Sequence, residues 1–278
     1  MDDDAFELHR RAPGPRTRHL ISALVGYRET RLAPRRQHQA AALVVPFVIS
    51  FGTPFHIALG REAGDADGQR SFAAGLYAGP VHIRSDGAAA CVQVDFTPIG
   101  AYRCFGGVVV DLAARMVDLG DLLGLEGLRL IERLAAARTW DERFDLVEDF
   151  VARRDAFAPS PEIAHAYARL DATAGTVRIG ALAADVGWSR KHLAHRFRSE
   201  IGLPPKVVAR MMRFRGVCRL AYADVAPGWA SIAIDSGYAD QAHLVRDFVD
   251  MAGEPPGAWA RRMAASDPRL MRLAGPGK

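Results

Sequence analysis

The sequence predicts an α+β chain: a β-rich N-terminal part, a group of helices after it, and an all-helical C-terminal part. Three observations carry this. Between Ala41 and Thr97, short apolar and β-branched runs are separated by Gly, Pro and Asp turn signals. From Asp111 onward the apolar residues recur every three or four positions, the period of an amphipathic helix. Beyond Ala158-Pro-Ser-Pro161, one short pattern occurs twice, each copy reading as helix, glycine turn, helix.

Taken in order, residues 1 to about 38 are charged and interrupted by Pro13, Pro15 and Pro34, so they read as irregular with one helix around Leu20 to Tyr27. Strands follow at Ala41 to Phe51, Pro54 to Leu59, Ser71 to Tyr77, Val81 to Arg84 and Ala88 to Thr97, a spacing that suits a sandwich or small barrel. Asp111 to Leu123, Leu125 to Arg138 and Asp141 to Arg154 read as amphipathic helices. Leu128, Ile131 and Leu134 share one face, and Phe144, Val147 and Val151 another. The Pro-rich interruption at 158–161 divides the chain into a domain of residues 1–157 and a domain of residues 158–278. In the second, Ile163 to Leu170 forms one helix, and Ile179 to Val186 with Ser189 to Ile201 forms the first two-helix unit. Pro205 to Tyr222 connects it to the second unit, Trp229 to Ser236 with Asp240 to Met251, and Pro255 to Met263 closes the domain.

Composition narrows the class. Hydrophobic content of 49% with 24% charged residues is that of a globular protein. No apolar run reaches the roughly 20 residues needed to cross a bilayer. The acidic start Met-Asp-Asp-Asp-Ala-Phe-Glu lacks the apolar core of a signal peptide, so a cytoplasmic, membrane-free location is expected. Cys91, Cys104 and Cys218 are odd in number and far apart, which supports neither a disulfide framework nor a zinc site. The net charge of +4 is unevenly placed: from Ser160 onward there are 17 Lys and Arg against 11 Asp and Glu. Between Arg190 and Arg219 nine cations face one anion, Glu200, which points to a polyanionic partner.

The duplicated pattern sharpens this. Gly187, Leu193, Phe197, Gly202, Pro204 and Pro205 match Gly237, Leu244, Phe248, Gly253, Pro255 and Pro256. Upstream, Leu182-Ala183 and Asp185 match Ile232-Ala233 and Asp235. One inserted residue separates the copies and is expected inside the helix. Leu182, Ala183, Val186, Leu193, Phe197, Ile232, Ala233, Leu244 and Phe248 suit a core; Gly187 and Gly237 suit turns with positive φ. Ser189 and Asp240 suit N-caps. Helix-turn-helix geometry places a helix in the major groove of double-stranded DNA. A connector of about 19 residues would span ~28 Å, near the ~34 Å between successive grooves on one face of B-DNA.

This half of the chain resembles the AraC/XylS-type transcriptional regulators, whose DNA-binding domain has two helix-turn-helix units joined by a long helix. The resemblance covers roughly residues 165–264. It rests on L-A-x-x-x-G-x-S-x-x-x-L-x-x-x-F from Leu182 to Phe197, I-A-x-x-x-G-Y-x-D-Q from Ile232 to Gln241, and R-x-F followed by G-x-x-P from Arg246 to Pro256. It implies a sequence-specific regulator without catalytic residues, cofactor or metal. It further implies control by a small-molecule effector or by dimerisation, with RNA polymerase as a further partner. The N-terminal half of such proteins is often a cupin-like barrel. Here Phe72-Ala-Ala-Gly-Leu76, Val92 to Phe96 and Pro98-x-Gly100 resemble a subset whose N-terminal domains have no defined ligand.

On the first recognition helix Arg190, Lys191, Ala194, His195 and Arg198 are left exposed once Leu193 and Phe197 face inward. The resemblance makes Lys191, Ala194 and His195 base-facing; Gln241, Ala242, His243, Val245 and Arg246 are their equivalents in the second unit. Gln241 suits adenine and Arg246 suits guanine or a phosphate, whereas Ala194, Ala242 and Val245 offer only a methyl contact to thymine. Arg246 has a structural alternative, an ion pair with Asp235 or Asp250, and His192 and His243 suit phosphate contact or local packing as well as they suit base reading. Arg210, Arg213, Arg215 and Arg219 on the connector cannot all face DNA, because a helix turns about 100° per residue.

In the N-terminal half, the helices after Asp111 suit either a dimer seam or a cover for the β-layer, and the first reading is favoured. His56 and His82 lack the partners of a metal site. Two other classes compete with a regulator. One is a DNA-binding module fused to an alkyl-damage repair enzyme, which needs a reactive cysteine in a P-C-H context; Cys104 sits in Y-R-C-F-G. The other is a small-molecule-binding protein that has lost DNA affinity.

Overall fold

The computed structural model describes residues 6–31, 33–222 and 228–265. The acidic first residues and the C-terminal end of the second predicted domain, from 266, lie outside them. Ten strands come first: β1 (Phe6–Arg11), β2 (Ile21–Glu29), β3 (Arg35–Gln39), β4 (Val45–Ser50), β5 (Phe55–Leu59), β6 (Gly68–Gln69), β7 (Phe72–Ala74), β8 (Val81–Ser85), β9 (Ala90–Phe96) and, after one helix, β10 (Met116–Asp118). They form two antiparallel sheets, one ordered β1-β2-β9-β4-β7-β10 and one ordered β3-β8-β5-β6.

The period of two along a strand sorts side chains between two cores. Tyr27, Val48, Phe72 and Cys91 of the large sheet meet Phe55 and Ile57 of the small one, closing a sandwich. Leu24, Phe47, Ile49, Val92, Val94 and Phe96 point to the other side, toward the helices. The first of these is α1 (Pro98–Phe105), with Thr97 as N-cap accepting from Gly100 N and proline at the first turn. A 3-10 turn at 106–110 leads to β10 and then to α2 (Leu119–Ala136) and α3 (Trp140–Ala152).

Three expectations change here. Residues 6–39 hold three strands, and the stretch expected to be a helix from Leu20 to Tyr27 is a turn residue, Leu20, followed by β2. This strand is central, paired to β1 and β9, so apolar residues on both faces replace a clean alternation. The helix expected at Asp111 starts only at Leu119, after β10 pairs with β7; Gly124, where two helices were expected to meet, is a kink with φ 57° inside α2. The helix at 98–105 has too short an apolar period to stand out in the sequence.

The helices α2 and α3 cover the outer face of the large sheet, burying Leu119, Leu123, Leu130, Leu134, Phe144, Val147, Phe150 and Val151. Gly26 makes room for this layer: a Cβ there would lie 2.4 Å from the Trp140 ring. Arg143 is buried and donates to the carbonyls of Leu134 (3.1 Å) and Ala137 (2.5 Å), satisfying the end of α2. Covering is therefore the main work of these helices, although Leu125 and Leu128 remain exposed.

Seven further helices follow the proline-broken stretch: α4 (Pro161–Ala172), α5 (Ile179–Asp185), α6 (Arg190–Ile201), α7 (Pro205–Ala221), α8 (Trp229–Asp235), α9 (Gln241–Ala252) and α10 (Pro256–Ala265). Proline opens α4, α7 and α10, where the missing N–H costs no helical bond. The fold is thus a β-rich N-terminal region with following helices and an all-α C-terminal region.

Candidate nucleic-acid interface

In the first unit α5 turns into α6 through Gly187, at φ +70°; in the second α8 turns into α9 through Gly237, at φ +76°. Leu182, Ala183, Leu193 and Phe197 are buried in one, and Ile232, Ala233, Leu244 and Phe248 in the other. Ser189 caps α6, its Oγ accepting from His192 N at 3.1 Å, and Asp240 caps α9, its Oδ1 accepting from His243 N at 2.7 Å. Both helices have 12 residues and both end on a left-handed glycine, Gly202 or Gly253. The extra residue of the second copy therefore lies in the turn, between Gly237 and Asp240, and not inside the helix. The cap sets the phase of each helix, so the two reading faces are equivalent residue for residue from the caps onward.

Aromatic rings follow the same duplication. Trp188 meets His192 edge-on at 4.6 Å, and Tyr238 meets His243 edge-on at 5.2 Å. Each histidine near the start of a reading helix thus packs on the aromatic residue of its own turn.

The predicted reading residues sit on the outside. Ser189, Arg190, Lys191, His192, His195 and Arg198 are exposed and Ala194 is half-buried; Asp240, Gln241, Ala242 and Arg246 are exposed, with His243 and Val245 half-buried. Ion pairing divides the cations. Arg210 holds Asp247 and Asp250 at 2.8 Å each, Arg213 donates to Gly175 O at 3.0 Å, and Arg215 pairs with Asp171 at 2.5 Å. These connector arginines tie α7 to its neighbours. Among the described residues, Arg190, Lys191, Arg198 and Arg246 form no ion pair, so Arg246 takes neither of its two structural partners. Part of the strong positive charge read from the sequence is consumed internally, and the remainder lies on the two reading helices, with exposed Lys206 and Arg219 on the connector.

The connector α7 has 17 residues, giving a length of about 26 Å at 1.5 Å per residue. Val208, Met211, Met212, Phe214 and Val217 bury it among α4, α6, α8 and α9, so it acts as a central strut.

Sequence reasoning missed two supports. Glu200, buried at 2% exposure, accepts from Ser160 N at 2.6 Å and Ser160 Oγ at 3.0 Å, and pairs with Arg196 at 2.7 Å. Asp247 is buried between Arg210 and Arg213 on the inner side of α9. The available signal for Glu200 was its isolation: it is the one anion among nine cations, four residues after Arg196. Among the described residues no group of three or more His, Cys, Asp or Glu is placed to hold a metal, and no helix is long and apolar enough to cross a membrane. His56 lies on β5 beside Asp86 (3.4 Å), and His82 on β8 stacks on His38.

Two capped helix-turn-helix units on a shared strut, with unpaired cations on both reading helices, define the class as a DNA-binding transcription regulator. Residues 182–262 match the model of a helix-turn-helix domain family, in agreement with the resemblance of this region to the AraC/XylS type. No curated protein matches the chain. Solved structures give partial likenesses. The C-terminal domain of AraT, a response regulator from Geobacillus stearothermophilus, is 19% identical at a TM-score of 0.35, covering 37% of this chain and 87% of that one. ToxT from Vibrio cholerae is 10% identical at 0.44, covering 92% and 98%. The AraC-like transcriptional activator CuxR is 16% identical at 0.31, covering 80% and 89%.

Proposed function

We propose that the chain is a two-domain regulator, divided into residues 1–157 and 158–278, that binds double-stranded DNA sequence-specifically with α6 and α9. The observation that carries this reading is the duplicated, capped reading helix whose exposed cations have no internal partner. Arg190 and Arg198 supply phosphate contacts with His192 beside them, and Lys191 and His195 face the bases. Gln241 pairs with adenine, Arg246 with guanine or a phosphate, and Ala194, Ala242 and Val245 touch thymine methyls. Ser189 and Asp240 hold the helix starts, and His243 sits next to the second start. The protein works in the cytoplasm, where DNA and RNA polymerase are its partners.

Control comes through the N-terminal region, by a small-molecule effector or by pairing of two copies. The exposure of Leu125 (70%) and Leu128 (48%) on α2 supports pairing, since a monomer gains nothing by leaving two leucines of one helix in water.

Selection of duplex sites from a random library with the purified chain, followed by mobility shift at moderate salt, tests the reading. The expected product is a non-palindromic motif of two blocks about one helical turn apart, ~10 base pairs. Absence of any enriched sequence would overturn it in favour of a protein without DNA affinity.

A further inference from the structure

The N-terminal region meets the helix-turn-helix domain at α6 and at the C-terminal end of α9. The first contact places α6 on α1 and on the 3-10 turn at 106–110. The second places the β3–β8 edge on the turn between α9 and α10. There Ala41 N–H donates across the contact to Met251 O at 2.9 Å, and Arg262 Nη1 donates to His38 O at 3.4 Å. The His38 ring stacks on His82 at 4.6 Å between centroids and 12° between planes. It also lies against Gly253, where a Cβ would come within 3.2 Å of Cε1 and Nε2. Nε2 of His38 is buried and has no hydrogen-bond partner.

We propose that this second contact is a proton-operated joint: it is closed while His38 is neutral, and proton uptake by His38 parts the N-terminal region from the second helix-turn-helix unit. The charged and titratable groups facing His38 are His82 on β8, Glu62 after β5, and Glu254 and Arg262 from the α9–α10 side. The two carboxylates do not offset a new charge fully, because both already have a partner. Glu254 holds Arg262 at 2.5 Å, and Glu62 meets His82 at 3.0 Å and Arg36 at 3.4 Å. A protonated ring would put a cation next to Arg262 and an N–H donor into a buried position without an acceptor. Neutral imidazole needs neither, since the second nitrogen of a neutral ring can stay unprotonated.

Burial first, then Arg262 and His82, hold His38 below the usual histidine range in the closed joint. The sign follows from linkage. The open state takes up a proton near pH 6.5, so the closed state is fully favoured above that pH. It loses ground as pH falls from there toward the depressed value. The joint is a property of the chain alone and does not depend on DNA being read.

Hydrogen exchange of the Ala41 amide in the full-length, DNA-free chain measures the closed fraction directly, because that amide donates across the contact. The protection factor, corrected for the intrinsic pH dependence, is expected to fall between pH 8 and pH 5.5. By pH 5.5, about one unit below the open-state value, the fall approaches at most about tenfold. His38→Phe keeps an aromatic stack without a proton site and should hold the protection constant over that range. Should His38→Phe fail to fold, His82→Phe removes an opposing group and moves the midpoint upward. A wild-type protection factor that is flat with pH, or an equal fall in His38→Phe, overturns the joint. An Ala41 amide unprotected at pH 8 does so as well. A failed DNA selection leaves this measurement untouched, so the two readings fail separately.

Discussion

The carboxylate of Glu200 accepts the backbone amide of Ser160 at 2.6 Å and the Ser160 hydroxyl at 3.0 Å. Ser160 lies in the proline-broken stretch between the two halves of the chain, and Glu200 lies at the buried end of the first reading helix. One side chain thus fixes both the exit of the linker and the orientation of α6. It also supplies the negative charge at the N-terminus of α4, where the Ser160 side chain itself makes no cap bond.

Glu200→Ala should be among the more costly substitutions in the helical region. It leaves the part-buried Ser160 amide without an acceptor, and the lost charge-assisted bonds amount to about 2–3 kcal/mol. Glu200→Gln keeps one acceptor oxygen and should cost about 1 kcal/mol. Urea unfolding of the two variants beside wild type measures both. An alanine variant within about 0.5 kcal/mol of wild type would show that the linker is held by something else.

The two turn glycines should respond unequally to alanine. Both have positive φ, for which any side chain costs roughly 1–2 kcal/mol. Around Gly187 nothing lies within 4 Å of an added Cβ, whereas at Gly237 Thr176 Cγ2 would be 2.5 Å away. Gly237→Ala should therefore lose about 1–3 kcal/mol more than Gly187→Ala, the usual cost of overpacking. Equal losses for the two variants in thermal or urea unfolding would rule out the Thr176 contact as the cause.

The helical region was legible in the sequence because local signals and tertiary structure agree there. Ser189 and Asp240 cap, Gly187 and Gly237 turn, and Leu193 and Leu244 face inward, each for reasons local to its own segment. The inserted residue sits in the turn and not in the helix because the caps Ser189 and Asp240, rather than Gly187 and Gly237, set the helical phase. The strands between residues 6 and 39 leave little local signal because their order comes from distant partners: β1 and β2 exist by pairing with each other and with β9. Their charged residues serve long-range ties that no local pattern announces. Arg11 reaches Asp145 at 2.6 Å and Glu148 at 2.8 Å on α3. The paired state of Arg210, Arg213 and Arg215 was likewise invisible, since it depends on which face of α7 meets α9 and α4.

The cysteines should be inert in the folded chain. Burial pushes the thiols of Cys91, Cys104 and Cys218 up to about 12. For Cys104 the Asp155 charge adds to this, and Arg154 and Arg103 only partly oppose it. A thiol with that value has a thiolate fraction near 10⁻⁴ at pH 8. An aromatic disulfide reagent at pH 8 should find no fast-reacting thiol in native protein and should titrate all three after unfolding. One hyperreactive cysteine in the native chain would instead favour the repair-enzyme reading.

The division between paired and unpaired cations yields the sharpest test of the interface. Arg190 and Lys191 are exposed at the start of α6 without an ion pair, and Arg215, also cationic and exposed, is held by Asp171 at 2.5 Å. A side chain that neutralises one phosphate contributes about 0.9 to the slope of log affinity against log salt. Arg190→Ala and Lys191→Ala should each lower affinity, and a phosphate role predicts a slope shallower by about this amount with sequence preference unchanged, whereas Arg215→Ala should leave it alone. Arg246→Ala belongs to a different class: if its guanidinium reads guanine, the loss is about 1–3 kcal/mol and preference relaxes at one base pair only. Titrations of a selected duplex at several salt concentrations separate these outcomes. If neither Arg190→Ala nor Lys191→Ala alters binding, α6 is not the helix that meets DNA, however well its cap and core are built.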